Sequence, residues 1–181
     1  MLFRSPNFRI SDAFPAVFGQ DPVIIVEHRS LFSLKGGVPE VPYRVRFGRA
    51  AVRRTGDDLT VVTAGVMVPF ALRIADRLAA LGVKAEVIDL RTISPLDTET
   101  VCTSVEKTGR LCVMDPAWQS FGVSAEIVAR VAERSIRALR ADPVRICYPD
   151  SHTPMSPALE TQYYPDETTV VERLRLLATR G

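Results

Sequence analysis

Three aspartates close apolar runs in this chain: Asp89 follows Val87-Ile88, Asp115 follows Val113-Met114, and Asp150 follows Tyr148-Pro149. Carboxylates gathered at one end of a sheet could hold Mg²⁺ or accept a phosphoryl group, since ligands of parallel sheets bind beyond the carboxyl ends of the strands. The simpler reading is that each acid caps the turn after its strand, where aspartate accepts bonds from nearby amides. Two histidines occur, His28 and His152. His152 lies in Asp150-Ser151-His152, but a contiguous Asp, Ser and His rarely give the geometry of a nucleophilic triad. His28 follows Glu27 at the end of an apolar run, which suits a structural or interface position.

Other signatures of chemistry are missing from the sequence. No GxGxxG or Walker sequence follows an apolar run, so a self-sufficient nucleotide site is not expected. There is no GxSxG. Cys102, Cys112 and Cys147 form no CxxC pair and are odd in number, which argues against a disulfide framework or a zinc site and for reduced, buried thiols. Trp118 and Phe121 lie in a glycine-containing loop, Asp115 to Gly122, where they suit either a ligand platform or packing against another domain or subunit.

The elements that must position these residues alternate in type. Asp21-Pro22 precedes the short apolar run Val23–Val26, read as one strand, with a short helix over 12–18 ahead of it. The glycines and prolines of 33–47 read as a surface connection. From Gly48 onward the order is regular. Strands are expected at 59–64, 85–90, 111–114 and 144–148, with an added edge strand at 49–53. Helices are expected at 70–81, from Asp97 to about 107, and from 123 to about 139. A last helix opens with Thr169 and Glu172 as a capping box. This βα alternation predicts an α/β three-layer sandwich, a mostly parallel sheet covered by helices on both faces.

Composition sets outer limits. The 181 residues suit one core plus a remnant, and 23 basic against 21 acidic residues leave a net charge of +2, too little for nucleic-acid binding through a broad positive field. No apolar stretch approaches the length of a membrane span, and arginine and asparagine interrupt the N-terminal segment where a signal peptide would be apolar. The expected location is cytoplasmic.

Several segments together carry a resemblance. Asp89 to Asp97, reading DLRTISPLD, is similar to the DLRTLSPLD segment of the beta subunits of 2-oxoacid dehydrogenase E1 components, the pyruvate, branched-chain and acetoin enzymes. Gly122 to Ile127 matches their GxSAEI helix start. Pro149-Asp150 with Thr153 to Glu160 matches their PDxPTPxSPALE loop, Asp21 to His28 their NPVIFLEH strand, and Lys107 to Arg110 a further short block. The order and spacing of these blocks across nearly the whole chain carry the resemblance.

That resemblance implies a transketolase C-terminal fold over 48–181, with five strands of which 49–53 is the antiparallel edge, a linker over 33–47, and over 1–32 the end of a pyrimidine-binding domain. It implies that thiamine diphosphate and Mg²⁺ serve the full enzyme, and no residue here matches a cofactor contact or the activating glutamate. A K⁺ loop would fall on Ala16, Val17, Gly19 and Asp21. The implied partners are an E1 alpha subunit, a second beta subunit and the E2 acyltransferase core, in a homodimer or heterotetramer, with Trp118, Phe121, Tyr163 and Tyr164 as contact residues. The competing expectation is a stand-alone module binding a small anion at the strand ends, with Arg91 beside the helix start at Asp97. An enzyme using Asp89, Asp115 or Asp150 ranks last.

Overall fold

The computed structural model describes residues 28–35 and 45–179, together with Pro22, Ile24 and Val26. The helix expected at 12–18 and the K⁺ loop of Ala16, Val17, Gly19 and Asp21 lie outside the described residues. So do most of the linker, 36–44, and Val23 and Ile25 of the expected strand. Ile24 and Val26 are described, carry no strand pairing and are largely exposed.

The strands are β1 (Ala51–Arg54), β2 (Leu59–Thr63), β3 (Ala85–Asp89), β4 (Leu111–Trp118) and β5 (Val144–Tyr148). They form one sheet in the order β1-β3-β2-β4-β5. Pairings among β2, β3, β4 and β5 are parallel, and β1 runs antiparallel along β3, with Ala51 opposite Asp89 and Val52 opposite Ile88. The three-layer arrangement and the antiparallel edge are both as expected.

The helices are α1 (Met67–Ala80), α2 (Thr98–Thr108), α3 (Val123–Ser135), α4 (Pro157–Tyr163) and α5 (Glu167–Ala178). Ala71, Ile74, Ala75 and Leu78 recur at helical spacing on α1 and pack with Leu174 and Leu177 of α5 on one face of the sheet. Val101 and Val105 of α2 and Ile127 and Val131 of α3 cover the other face. Central β2 and β3 are buried along their whole length, as strands of a sheet covered on both faces are. A hydroxyl seam lies under α2, where Thr60 Oγ1 meets Ser104 Oγ and Thr108 Oγ1, each at 2.7 Å.

Helix ends follow local chemistry. Asp97 caps α2, accepting from the Thr100 amide at 3.1 Å and the Thr100 hydroxyl at 2.8 Å. Gly109 ends that helix at φ 71°, with its amide donating to the Val105 carbonyl.

Three expectations need correction. Asp166, not Thr169, caps the last helix: its Oδ2 accepts from the Thr169 amide at 2.8 Å and hydroxyl at 2.9 Å, while Glu172 pairs with Arg175 instead of reaching back. An aspartate three residues earlier takes the cap, since its carboxylate accepts both bonds at once. The third helix stops at Ser135 and tightens into a 3₁₀ turn over Ile136–Ala138. The proline-rich loop contains α4, started by Pro157, whose missing amide proton costs nothing in a first helical turn.

Candidate functional site

The segment Asp89 to Asp97 meets the incoming chain at three points. The Gly48 amide donates to Thr92 Oγ1 at 2.9 Å, the Ala50 amide donates to Asp97 Oδ2 at 2.9 Å, and Arg53 donates to Asp89 Oδ2 through Nε at 3.2 Å and Nη2 at 3.0 Å. A segment that by sequence suggested a strand and a turn therefore also holds the edge strand in register. Burial pushes the Asp89 carboxyl up, and the Arg53 guanidinium opposes that rise. Burial also pushes Asp97 up, but bonds from the Ala50 and Thr100 amides outweigh it, and the carboxyl sits below the ordinary range.

The strand-end aspartates each have local work. Asp89 binds Arg53 and accepts from the Arg91 amide at 3.2 Å. Asp115 Oδ2 accepts from the Ser124 amide at 2.9 Å, which puts a carboxylate at the start of α3. Asp150 accepts from the Ser120 amide at 3.0 Å and hydroxyl at 2.5 Å, and these bonds, the hydroxyl first, hold its carboxyl below the ordinary range. Among the described residues no group of three acids, histidines or cysteines is placed to hold a metal.

The same placements bear on thiamine diphosphate. A diphosphate wants free amides at a helix start and a Mg²⁺ held by carboxylates. The Ser124 amide at the start of α3 is already bonded to Asp115, and α2 is capped by Asp97. At these two helix starts the residues do not fit a diphosphate.

The histidines make local surface contacts. His152 is exposed, with its ring 6.0 Å from that of Trp118 at an interplanar angle of 78°. His28 Nδ1 lies 2.7 Å from Ser30 Oγ on the surface. Cys112 is fully buried, and Cys147 Sγ sits 3.2 Å from Ser124 Oγ. Burial pushes both thiols up. No described helix is long and apolar enough to cross a membrane.

The aromatic residues gather beyond the ends of β4 and β5. Trp118 pairs in register with Tyr148. Tyr148, Tyr163 and Tyr164 form a cluster with ring centroids 5.2 to 5.4 Å apart. Tyr163 is buried and its hydroxyl donates to the Ser151 carbonyl at 3.2 Å, so it braces the loop from inside, whereas Trp118, Phe121 and Tyr164 face outward. Met155 and Leu159 are exposed on the loop and helix that follow β5. The Ser120–Asp150 clasp, His152 against Trp118, and the Thr92 and Asp97 anchors for Gly48 and Ala50 had no sequence signal, because each joins residues tens of positions apart or from different loops.

Residues 48–170 match the family described as transketolase, C-terminal domain. Over 160 residues, 88% of this chain, the sequence is 44% identical to the beta subunit of acetoin:2,6-dichlorophenolindophenol oxidoreductase of Cupriavidus necator, covering 47% of that protein. It is 42% identical over 161 residues, again 88% of this chain, to the pyruvate dehydrogenase E1 component subunit beta of Bacillus subtilis, covering 49% of that protein. Among solved structures, a split gene transketolase, described as an inactive beta4 tetramer, superimposes with a TM-score of 0.65 at 28% identity, over 80% of this chain and 47% of that one. The chain spans about half the length of the curated relatives it matches.

Proposed function

The chain belongs to the transketolase C-terminal-domain family, and from that premise we propose that it is the assembly-forming C-terminal part of an E1-type beta subunit, acting in oxidation of a 2-oxoacid or acetoin and without turnover of its own. In this reading residues 1–32 end a pyrimidine-binding domain, 33–47 link it, and 48–181 form the C-terminal domain. The observation that carries the proposal is the match of 88% of the chain, at 42–44% identity, to just under half of two such beta subunits.

Thiamine diphosphate and Mg²⁺ act in the complete enzyme, outside the described residues. Ala16, Val17, Gly19 and Asp21 are assigned to a K⁺ loop. The partners are an alpha subunit, a second beta subunit and an acyltransferase core, in the cytoplasm. The aromatic end beyond β4 and β5 supports the assembly role, because large exposed apolar groups on a folded domain mark contact surfaces. The anion-module alternative is not favoured, since Asp97 already occupies the helix start beside Arg91.

The test supplies the purified chain with thiamine diphosphate, Mg²⁺ and either pyruvate or acetoin, and follows reduction of 2,6-dichlorophenolindophenol. The expected result is no turnover by the chain alone and stable co-purification with the alpha subunit of the same organism. Turnover by the isolated chain overturns the reading.

A further inference from the structure

Three arginines crowd the corner where α2 and α3 end. Arg134 lies in the last turn of α3, Arg137 in the 3₁₀ turn that follows, and Arg140 just beyond that turn. All three are exposed, and none forms an ion pair with another described residue. Arg130, one turn earlier on α3, does: its Nε donates to Glu126 Oε1 at 2.7 Å.

The local chain explains the difference. On an unbroken helix Glu133 would stand four positions before Arg137, the spacing at which glutamate and arginine pair. The helix stops at Ser135 and tightens, so that register is lost and Arg137 is released. Arg140 is held in another way. Its amide donates to the Gly109 carbonyl at 2.8 Å, and its stem lies over Gly109, where an added Cβ would fall 2.8 Å from Cδ and 2.9 Å from Cγ. Gly109 thus ends α2 and also makes room for the arginine.

The carbonyl ends of helices attract cations, which accounts for an arginine at each end. It does not account for Ile136, which falls between Arg134 and Arg137 with 61% of its surface exposed. A branched apolar side chain set among guanidiniums suits a protein contact, where arginine is one of the residues that carry most binding energy.

We propose that Arg134, Ile136, Arg137 and Arg140 form a docking surface for an acidic segment of a partner protein, one that brings carboxylates to the guanidiniums and an apolar side chain to Ile136.

Charge complementarity selects this occupant. A guanidinium takes a carboxylate through two parallel bonds, and a stem already fastened, as in Arg140, loses less freedom in doing so. Glu133 and Asp142 share the surface and are exposed. They repel the unbroken phosphate row of a nucleic acid and the anionic headgroups of a membrane, whereas a peptide can set its carboxylates apart from them. The corner lies at the amino-terminal ends of β4 and β5, opposite the aromatic residues beyond their carboxyl ends. The inference therefore stands independently of the assembly reading.

A random dodecapeptide library displayed on phage and panned on the full chain, at about 0.15 M salt, tests the assignment. The parent should enrich peptides with neighbouring acids beside an apolar residue. For a synthetic copy of the leading peptide, Arg137→Glu and Arg140→Glu should each weaken binding at least about tenfold, and Ile136→Asp at least about fivefold. The circular dichroism spectrum of Arg137→Glu should be unchanged, because that side chain is exposed and unpaired among the described residues. Arg173→Glu, an exposed arginine on α5, should bind as the parent does. Enriched peptides without acids, or an acidic peptide bound equally well by Arg137→Glu and Arg140→Glu, overturn the surface. A single-stranded oligonucleotide or a phosphatidylserine vesicle that binds more tightly than the peptide, and is lost in the same variants, overturns the choice of occupant.

Discussion

Arg53, on the antiparallel edge strand, lays its guanidinium against the Asp89 carboxylate at 3.0 Å, and that carboxylate has no exposed surface. The pair joins the part of the chain that enters the domain to the carboxyl end of β3. A buried charge without a partner is far more costly than the pair is stabilising, so each residue depends on the other.

Arg53→Ala should therefore destabilise the domain by about 2–4 kcal/mol in urea denaturation, slightly under a fully buried pair because the Arg53 side chain keeps 24% of its exposure. The deficit should depend on pH. Burial raises the Asp89 carboxyl above its unfolded value, so the native state binds that proton more tightly than the unfolded state does. Stability from this group is then gained as pH falls through the raised value. Without Arg53 the rise is larger, and the deficit should shrink as pH falls from neutrality. Adding Asp89→Asn should recover part of it. A deficit that is constant with pH would count against the pairing.

Asp97 has the opposite sign. Burial raises its carboxyl, but the Ala50 and Thr100 amides and the Thr100 hydroxyl lower it further, so its contribution is present above the unfolded value of about 3.9 and is lost as pH falls through the lower folded one. Asp97→Ala should cost about 1–3 kcal/mol, combining a lost helix cap with a lost anchor for Ala50. The gap between the parent and Asp97→Asn should be flat from about pH 5 to 8 and close only below about pH 4, as measured by thermal melting.

Gly56 precedes β2 where the backbone of β3 crosses close by. A Cβ there would lie 2.4 Å from the Lys84 carbonyl oxygen and the Ala85 carbonyl carbon, both backbone atoms that cannot rotate away. Gly56→Ala should cost about 3 kcal/mol or more and lower the melting midpoint accordingly. Gly82→Ala has open space around its Cβ, and its only penalty is the backbone at φ 81°, so its effect should be smaller.

Cys112 and Cys147 should resist thiol reagents in the native domain. Burial pushes both thiols above the ordinary value of about 8.5, and only the thiolate reacts. At pH 8 a chromogenic disulfide should label neither until denaturant is added. Rapid native labelling of Cys112, confirmed by mass spectrometry, would contradict its burial.

Much of the fold was legible because it rests on local chemistry. Val61-Val62 and Val87-Ile88 are unbroken apolar pairs in strands buried along their whole length, since both faces of their sheet are covered. The helix at Met67–Ala80 repeats Ala71, Ile74, Ala75 and Leu78 on one side. Asp97 was readable as a cap because capping is a contact between neighbours. Where two local signals competed, the reading went wrong: Thr169 with Glu172 satisfied a capping pattern, but Asp166 stood three residues earlier and accepts two bonds. The resemblance carried by Asp89–Asp97, Gly122–Ile127 and the loop after Pro149 led to the same family that residues 48–170 match.

The candidate site divides along the same line. Sequence by itself determined that Trp118 and Phe121 lie in a glycine-containing loop before a helix, that three aspartates close strands, and that no GxSxG, Walker or GxGxxG sequence and no CxxC pair is present. Only the tertiary structure decided which aspartate does what. Asp89 answers Arg53, 36 positions away, and Asp150 clasps Ser120, 30 positions away. It also separated Tyr163, braced inside, from Tyr164, turned outward, although the two are adjacent and alike in composition. The physical reason is common to these cases: periodicity and capping are set by residues a few positions apart, whereas pairing across strands and exposure at a strand end depend on which segments the sheet order brings side by side.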